Sequence, residues 1–113
     1  MSIKRGNVFY VDLDPTKGSE QAGRRPVLVI QNDIGNDHAP TVIVAPFTTK
    51  KLSKEYPTNV YVAKSAGGLK ENSTVLLSQI RTIDKARLER KVCNLQAGIM
   101  QKVDDAISVS LGL

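Results

Sequence analysis

The chain has 113 residues, enough for one domain with a buried core and too few for two, so residues 1–113 are expected to form one unit. Its hydrophobic share of 41% and charged share of 24% are those of a folded globular protein, which argues against disorder. Sixteen Lys and Arg against eleven Asp and Glu give a net charge of +5, which favours polyanionic partners without requiring one.

The N-terminal stretch MSIKRGNVFYVDLDP lacks the apolar run of a signal peptide, and no later segment approaches membrane-spanning length. The lone Cys93 allows no internal disulfide and fits a reducing compartment. A cytoplasmic protein without membrane contact is expected. Within Lys91-Val92-Cys93-Asn94-Leu95 the cysteine fits a small buried hydrophobe better than a nucleophile.

Residues 7–13, NVFYVDL, are β-branched and aromatic and run into Asp14-Pro15, a strand followed by a turn. A loop over residues 16–25 carries Gly18 and Gly23. Pro26 then opens PVLVIQN, a continuous apolar run suited to a strand covered on both faces. GNDHAP is expected to be a second loop, and TVIVAPF a third strand. The basic stretch TTKKLSKEYP has little periodicity. TNVYVA alternates weakly as a strand, Gly67-Gly68 marks a turn, and STVLLSQI is a fifth strand.

TIDKARLERK is predicted to be a short helix capped by Thr82 or Asp84, with VCNL a brief strand after it. In the last segment Met100, Val103, Ile107 and Leu111 recur at helical spacing, so one face of a terminal helix packs on the sheet. The order of elements predicts a small, twisted, barrel-like sheet covered by that helix.

Absences narrow the chemistry. The single histidine, His38, excludes an acid–base pair of imidazoles within one protomer, and a loop histidine is ordinarily a solvated one. The carboxylates are scattered, and no metal-ligand spacing, P-loop or dinucleotide fingerprint is present, so neither metal nor cofactor is expected. What remains is a set of polar groups at strand ends. Arg24 and Arg25 precede the second strand, Thr48 and Thr49 follow the third, and Gln79 and Arg81 close the fifth. Read from the residues alone, these are either a converging site or ordinary turn and solvent-facing positions.

Four stretches break the tie. RGNVFYVDLDPTKGSEQAGRRPVLVIQND, TVIVAPFTT, YPTNV and STVLLSQIRTIDKARL together resemble the MazF/PemK (Kid) family of bacterial toxin endoribonucleases along nearly the whole chain. The resemblance implies a mainly β fold with α: an SH3-like, partly open small β-barrel of the CcdB/MazF kind. It would have about five to seven strands, a short helix and a C-terminal helix. It also implies a homodimer that cuts single-stranded RNA, including mRNA, at a short recognition sequence without ribosomes or metal, arresting translation and growth. A cognate acidic, MazE-like antitoxin would block the RNA groove.

By the same resemblance Arg25 and Thr48 match the catalytic arginine and threonine. Ser19, Glu20 and Gln79 match positions that contact bases or shape the site, and Thr49, Tyr56 and Pro57 fall on the expected RNA-facing surface. Ser78 stands where some relatives carry an acid. The loop holding Lys50, Lys51, Lys54 and Tyr56 fits either an RNA-facing surface, with Tyr56 stacking on a base, or a solvated loop with Tyr56 packed on the barrel. Two rival functions stand beside the nuclease. A gyrase poison of the CcdB type shares the barrel, but that activity goes with a Trp near the C-terminal helix end, and this chain has none. A non-catalytic RNA-binding or repressor module is the other.

Overall fold

The computed structural model describes residues 2–52 and 54–113; Ser53, in the basic loop, lies outside the described residues. In chain order the elements are β1 (Asn7–Asp12), β2 (Arg24–Val29), helix α1 (Asp33–His38), β3 (Thr41–Thr48), β4 (Asn59–Val62), the single helical turn α2 (Lys64–Gly67), β5 (Ser73–Leu76), β6 (Arg81–Asp84), β7 (Leu88–Asn94) and helix α3 (Ala97–Leu111). Short 3-10 turns at Leu77–Gln79 and Lys85–Arg87 follow β5 and β6.

All pairings are antiparallel. The sheet runs β4-β5-β3-β2-β1-β7, with β6 pairing β3 off that path. Strand β3 is the hinge of this layout. Its first half, Thr41 to Val44, pairs with β6, and its end, Phe47 and Thr48, pairs with β5. One strand therefore feeds two differently directed neighbours, and the sheet opens into a partly closed barrel.

The apolar run after Pro26 is indeed covered on both faces. Val27, Leu28 and Val29 are each fully buried. Because side chains alternate along a strand, Val27 and Val29 enter a core with Phe9, Val11, Val44 and Ile83, while Leu28 enters a second core with Phe47, Val75 and Leu77. Helix α3 closes the second core with Val103 and Ala106. Each fully buried Val or Leu contributes about 1.5–3 kcal/mol of transfer free energy. The helix end is set by Gly112 at φ 72, a left-handed conformation that glycine adopts without strain; it lets Leu113 N–H reach the Ser108 carbonyl at 2.8 Å. Leu111, expected on the packed face, is exposed instead, while its neighbour Ser110 donates to the Leu77 carbonyl at 2.6 Å.

Two expectations are corrected. TIDKARLERK is not a helix. It is β6, a 3-10 turn and β7, because Ile83 and Leu88 both enter the first core and Arg81 to Asp84 complete the open edge of β3. Asp84 does cap, but it caps the turn: its carboxylate accepts from Ala86 N–H at 2.7 Å. GNDHAP is not wholly loop, since Asp33–His38 forms α1. Asn32 caps it, accepting from Gly35 N–H at 2.8 Å. No helix among the described residues is long and apolar enough to cross a membrane.

Candidate active site at the ends of strands β2 and β3

Strands β2 and β3 pair Val29 with Val44, Leu28 with Ala45 and Val27 with Pro46. The ladder ends there, and Arg25 and Thr48 each lie two residues beyond it on their own strand. Thr48 is paired across β3 and β5 with Thr74. Both residues belong to strands, β2 and β3, where a loop end and a turn were expected. That placement fixes their backbone more firmly than a loop would.

The adjacent arginines are treated differently by the fold. Arg24 is exposed and grips Glu89 with two donors, Nε at 2.9 Å and Nη2 at 3.0 Å, so its charge is answered within the protein. The same carboxylate holds the Arg24 guanidinium still more firmly in its charged form. Arg25 is half-buried and meets only neutral acceptors. Its Nε donates to the Ala22 carbonyl at 2.8 Å, and its Nη1 to Gln21 Oε1 at 2.5 Å and to the Phe47 carbonyl at 3.2 Å. Among the described residues no carboxylate lies within ion-pair distance of it.

Thr48 is buried, and its Oγ1 accepts from Lys50 N–H at 3.2 Å, which turns the backbone after the strand and orients the hydroxyl. Thr48 and Thr49 border an open groove of about 650 Å³ whose other walls include Lys50, Lys54, Tyr56 and Tyr61. Thr49 also borders a smaller recess of about 230 Å³ with Arg25, Phe47 and Tyr10. A third, of about 630 Å³, is lined by Ser19, Glu20, Gln21, Gln79 and Arg81 and reaches Pro46. The consecutive residues Pro46 to Thr49 thus run along all three recesses.

The loop between β1 and β2 is tied down. Gln79, held out by the 3-10 turn after β5, accepts from Gln21 N–H through Oε1 at 2.7 Å and donates from Nε2 to the Ser19 carbonyl at 3.3 Å. Arg81 donates to the Leu13 carbonyl at 3.3 Å, and Arg87 to the carbonyls of Asp12 and Asp14. Gly23, at φ 80, makes the return into β2. Gln79 therefore clasps the middle of the loop, and Arg81 secures its base.

Ser19 and Glu20 are exposed on this loop, and the Glu20 carboxylate accepts from Lys17 N–H at 2.5 Å. Glu20 lines the Gln79 recess and does not line that of Arg25. Tyr56 is 55% exposed, which excludes the alternative that packs it on the barrel; Pro57 beside it is exposed too. His38 is solvated at the end of α1. Cys93 is partly covered against the second core, and burial pushes its thiol up, away from nucleophilic chemistry. Among the described residues no three His, Cys, Asp or Glu side chains gather as a cation site.

Sequence reasoning missed Gln21 and Tyr61. Gln21 carries no spacing signal in a loop. Tyr61, 63% exposed and on the groove, was legible as the outward position of the alternating run TNVYVA.

A small antiparallel barrel with an uncompensated arginine beside a buried threonine is the class defined by these features. The family model described as PemK-like, MazF-like toxin of type II toxin–antitoxin systems matches residues 4–111, and the chain belongs to that family. It is similar, at 50% identity over 113 residues, to endoribonuclease EndoA of Bacillus subtilis (strain 168), covering 100% of this chain and 97% of that one. A mycobacterial endoribonuclease solved in complex with its cognate antitoxin superposes with a TM-score of 0.83 at 27% identity, over 98% of this chain and 96% of that chain. MazF of Deinococcus radiodurans shares the fold, with a TM-score of 0.85 at 24% identity over 100% and 99% of the two chains.

Proposed function

We propose that this protein, an endoribonuclease toxin of a type II toxin–antitoxin system, cuts single-stranded RNA, mRNA included, at a short recognition sequence. It needs neither ribosome nor metal. The 2′-hydroxyl beside the scissile phosphate attacks phosphorus and the 5′-oxygen departs, leaving a 2′,3′-cyclic phosphate and a 5′-hydroxyl. Because RNA carries its own nucleophile, no bound water has to be activated.

The protein's task is to stabilise the extra negative charge that gathers on the phosphoryl oxygens. The observation that carries this reading is the half-buried Arg25 guanidinium, met only by neutral acceptors, at the strand end next to Thr48. A guanidinium offers a rigid fork of donors matched to phosphate oxygens, and the Thr48 hydroxyl adds a neutral donor. One such preorganised donor is worth about 10²–10³ in rate. Arg25 is not the proton acceptor, since a guanidinium offers donors only and has no lone pair free to take a proton.

The groove beside Thr48 supplies lysines for the backbone and Tyr56 for stacking on a base, with Thr49 at its border and the exposed Pro57 following Tyr56 in the chain. Ser19, Glu20 and Gln79 form the wall on the other side and read base edges or hold the loop that does. The protein acts as a cytoplasmic homodimer, and a cognate acidic, MazE-like antitoxin silences it by lying in the groove. The net charge of +5 speeds that encounter. The mycobacterial relative in complex with its antitoxin supports this partner.

The test is incubation of purified protein with a long RNA in excess EDTA, followed by mapping of both ends at each cut. Discrete cuts with cyclic phosphate and 5′-hydroxyl ends are expected. Intact RNA with trapped gyrase–DNA complexes, or binding without cutting, would replace the nuclease with a poison or a binding module.

A further inference from the structure

We propose that Gln21 is a positioning residue for Arg25, a neutral acceptor that aims the guanidinium at the end of β3 and leaves its charge whole for a phosphate. The proposal rests on the reading of Arg25 given above. Of the three protein acceptors that Arg25 meets among the described residues, two are backbone carbonyls, those of Ala22 and Phe47, and Gln21 is the one side chain. A guanidinium nitrogen only donates, so the Gln21 amide must present its oxygen. With Nε and Nη1 held on the protein side, Nη2 is the edge left to grip a phosphoryl oxygen.

The neighbouring arginine displays the alternative. Arg24 takes a carboxylate with two donors and is neutralised by it. A carboxylate at position 21 would do the same to Arg25, cancelling the charge that draws a phosphate to its remaining donors. An amide of equal length keeps the geometry and adds no charge. Gln21 is itself anchored, because its backbone N–H donates to Gln79 Oε1 at 2.7 Å and Gln79 in turn holds the Ser19 carbonyl. The acceptor that sets Arg25 is therefore fixed to the body of the barrel and does not drift with the loop.

The experiment is single-turnover cleavage of a long RNA transcript, with enzyme concentration varied, by the full-length wild type, Gln21→Met, Gln21→Glu, Arg25→Ala and the double variant Gln21→Met/Arg25→Ala. Gln21→Met keeps length and loses the acceptor; its maximal rate is expected to fall about 10- to 100-fold, with half-saturation moved less than about threefold. Gln21→Glu keeps length and acceptor and adds a charge; it is expected to be slower and to need more enzyme for half-saturation. In the Arg25→Ala background, Gln21→Met should change the rate less than about twofold, because the group it positions is gone.

Gln21→Met and Gln21→Glu both cutting at the wild-type rate while Arg25→Ala is impaired would overturn the proposal and leave the assigned function standing. Fully multiplicative losses in the double variant would also overturn it, assigning Gln21 to the RNA directly. Arg25→Ala cutting at the wild-type rate would remove the reading on which both rest.

Discussion

The guanidinium of Arg25 donates to the carbonyl of Phe47 at 3.2 Å, and Phe47 is the residue immediately before Thr48. The contact ties the start of β2 to the end of β3 at the point where their ladder leaves off. It holds a charge at the smaller recess on one side while Phe47 fills the second core on the other. Site and core meet in a single residue, and this makes each accessible to separate tests.

The core side is tested by Phe47→Ala. Phe47 is 1% exposed and among the largest fully buried side chains, so truncation is expected to cost about 3–5 kcal/mol. Urea denaturation should show a lowered midpoint with the slope unchanged. A loss under about 1 kcal/mol would mean that the site collapses around the void and that the end of β3 is not held by this ring.

Gln79→Ala tests the clasp on the loop. Both amide atoms of Gln79 are engaged, by Gln21 N–H and the Ser19 carbonyl, on a part-exposed loop where water can replace them. Global stability is expected to drop by about 1 kcal/mol or less. Hydrogen exchange at the Gln21 amide should speed by about tenfold as the loop opens locally. Unchanged exchange at that amide would show that the loop is held by Arg81 and Arg87 alone.

Cys93 gives a pH test with a defined sign. Burial raises its thiol above the ordinary value of 9.0, with Lys91 opposing. The unfolded thiol loses its proton first as pH rises, so the native state holds more protons there and stability falls through and above that range. In Cys93→Ala the urea midpoint should decline less between about pH 8 and about pH 10 than in the wild type. Parallel declines would assign the alkaline slope to other groups.

How far the sequence disclosed this molecule depended on whether a feature was local. The first five strands were legible because each is an apolar or alternating run. Residues 82–91 were not, since Lys85-Ala86-Arg87 and Glu89-Arg90-Lys91 look like a polar helix face. Pairing of Arg81–Asp84 with β3 overrides that local preference. Helix α1 was hidden by Gly35 and by Asn36 and Asp37, which look like turn residues, although Asn32 was in place to cap it. In the site, Arg25 and Thr48 were separately visible as polar strand ends, and resemblance joined them. The contact of Arg25 with the Phe47 carbonyl, next to Thr48, follows from strand pairing, which no local pattern encodes. Gln21 was invisible for the same reason: its role lies in one contact across the turn.

The chemistry itself is open to a substrate test. A single 2′-deoxy substitution at the cleaved position removes the proposed nucleophile while leaving every phosphate contact in place. That bond should survive while neighbouring recognition sequences in the same strand are cut. Cutting at the substituted bond would show that water or a protein group attacks instead.

The most direct measurement is the single-turnover rate of Arg25→Lys against wild type on one RNA in excess EDTA, with RNA affinity measured alongside. Lysine keeps a positive charge near the phosphate but loses the planar fork, so the rate should fall by about 10²–10³ while binding changes only several-fold. A lysine variant that cuts within about threefold of the wild-type rate would contradict the claim that a guanidinium at this strand end stabilises the transition state.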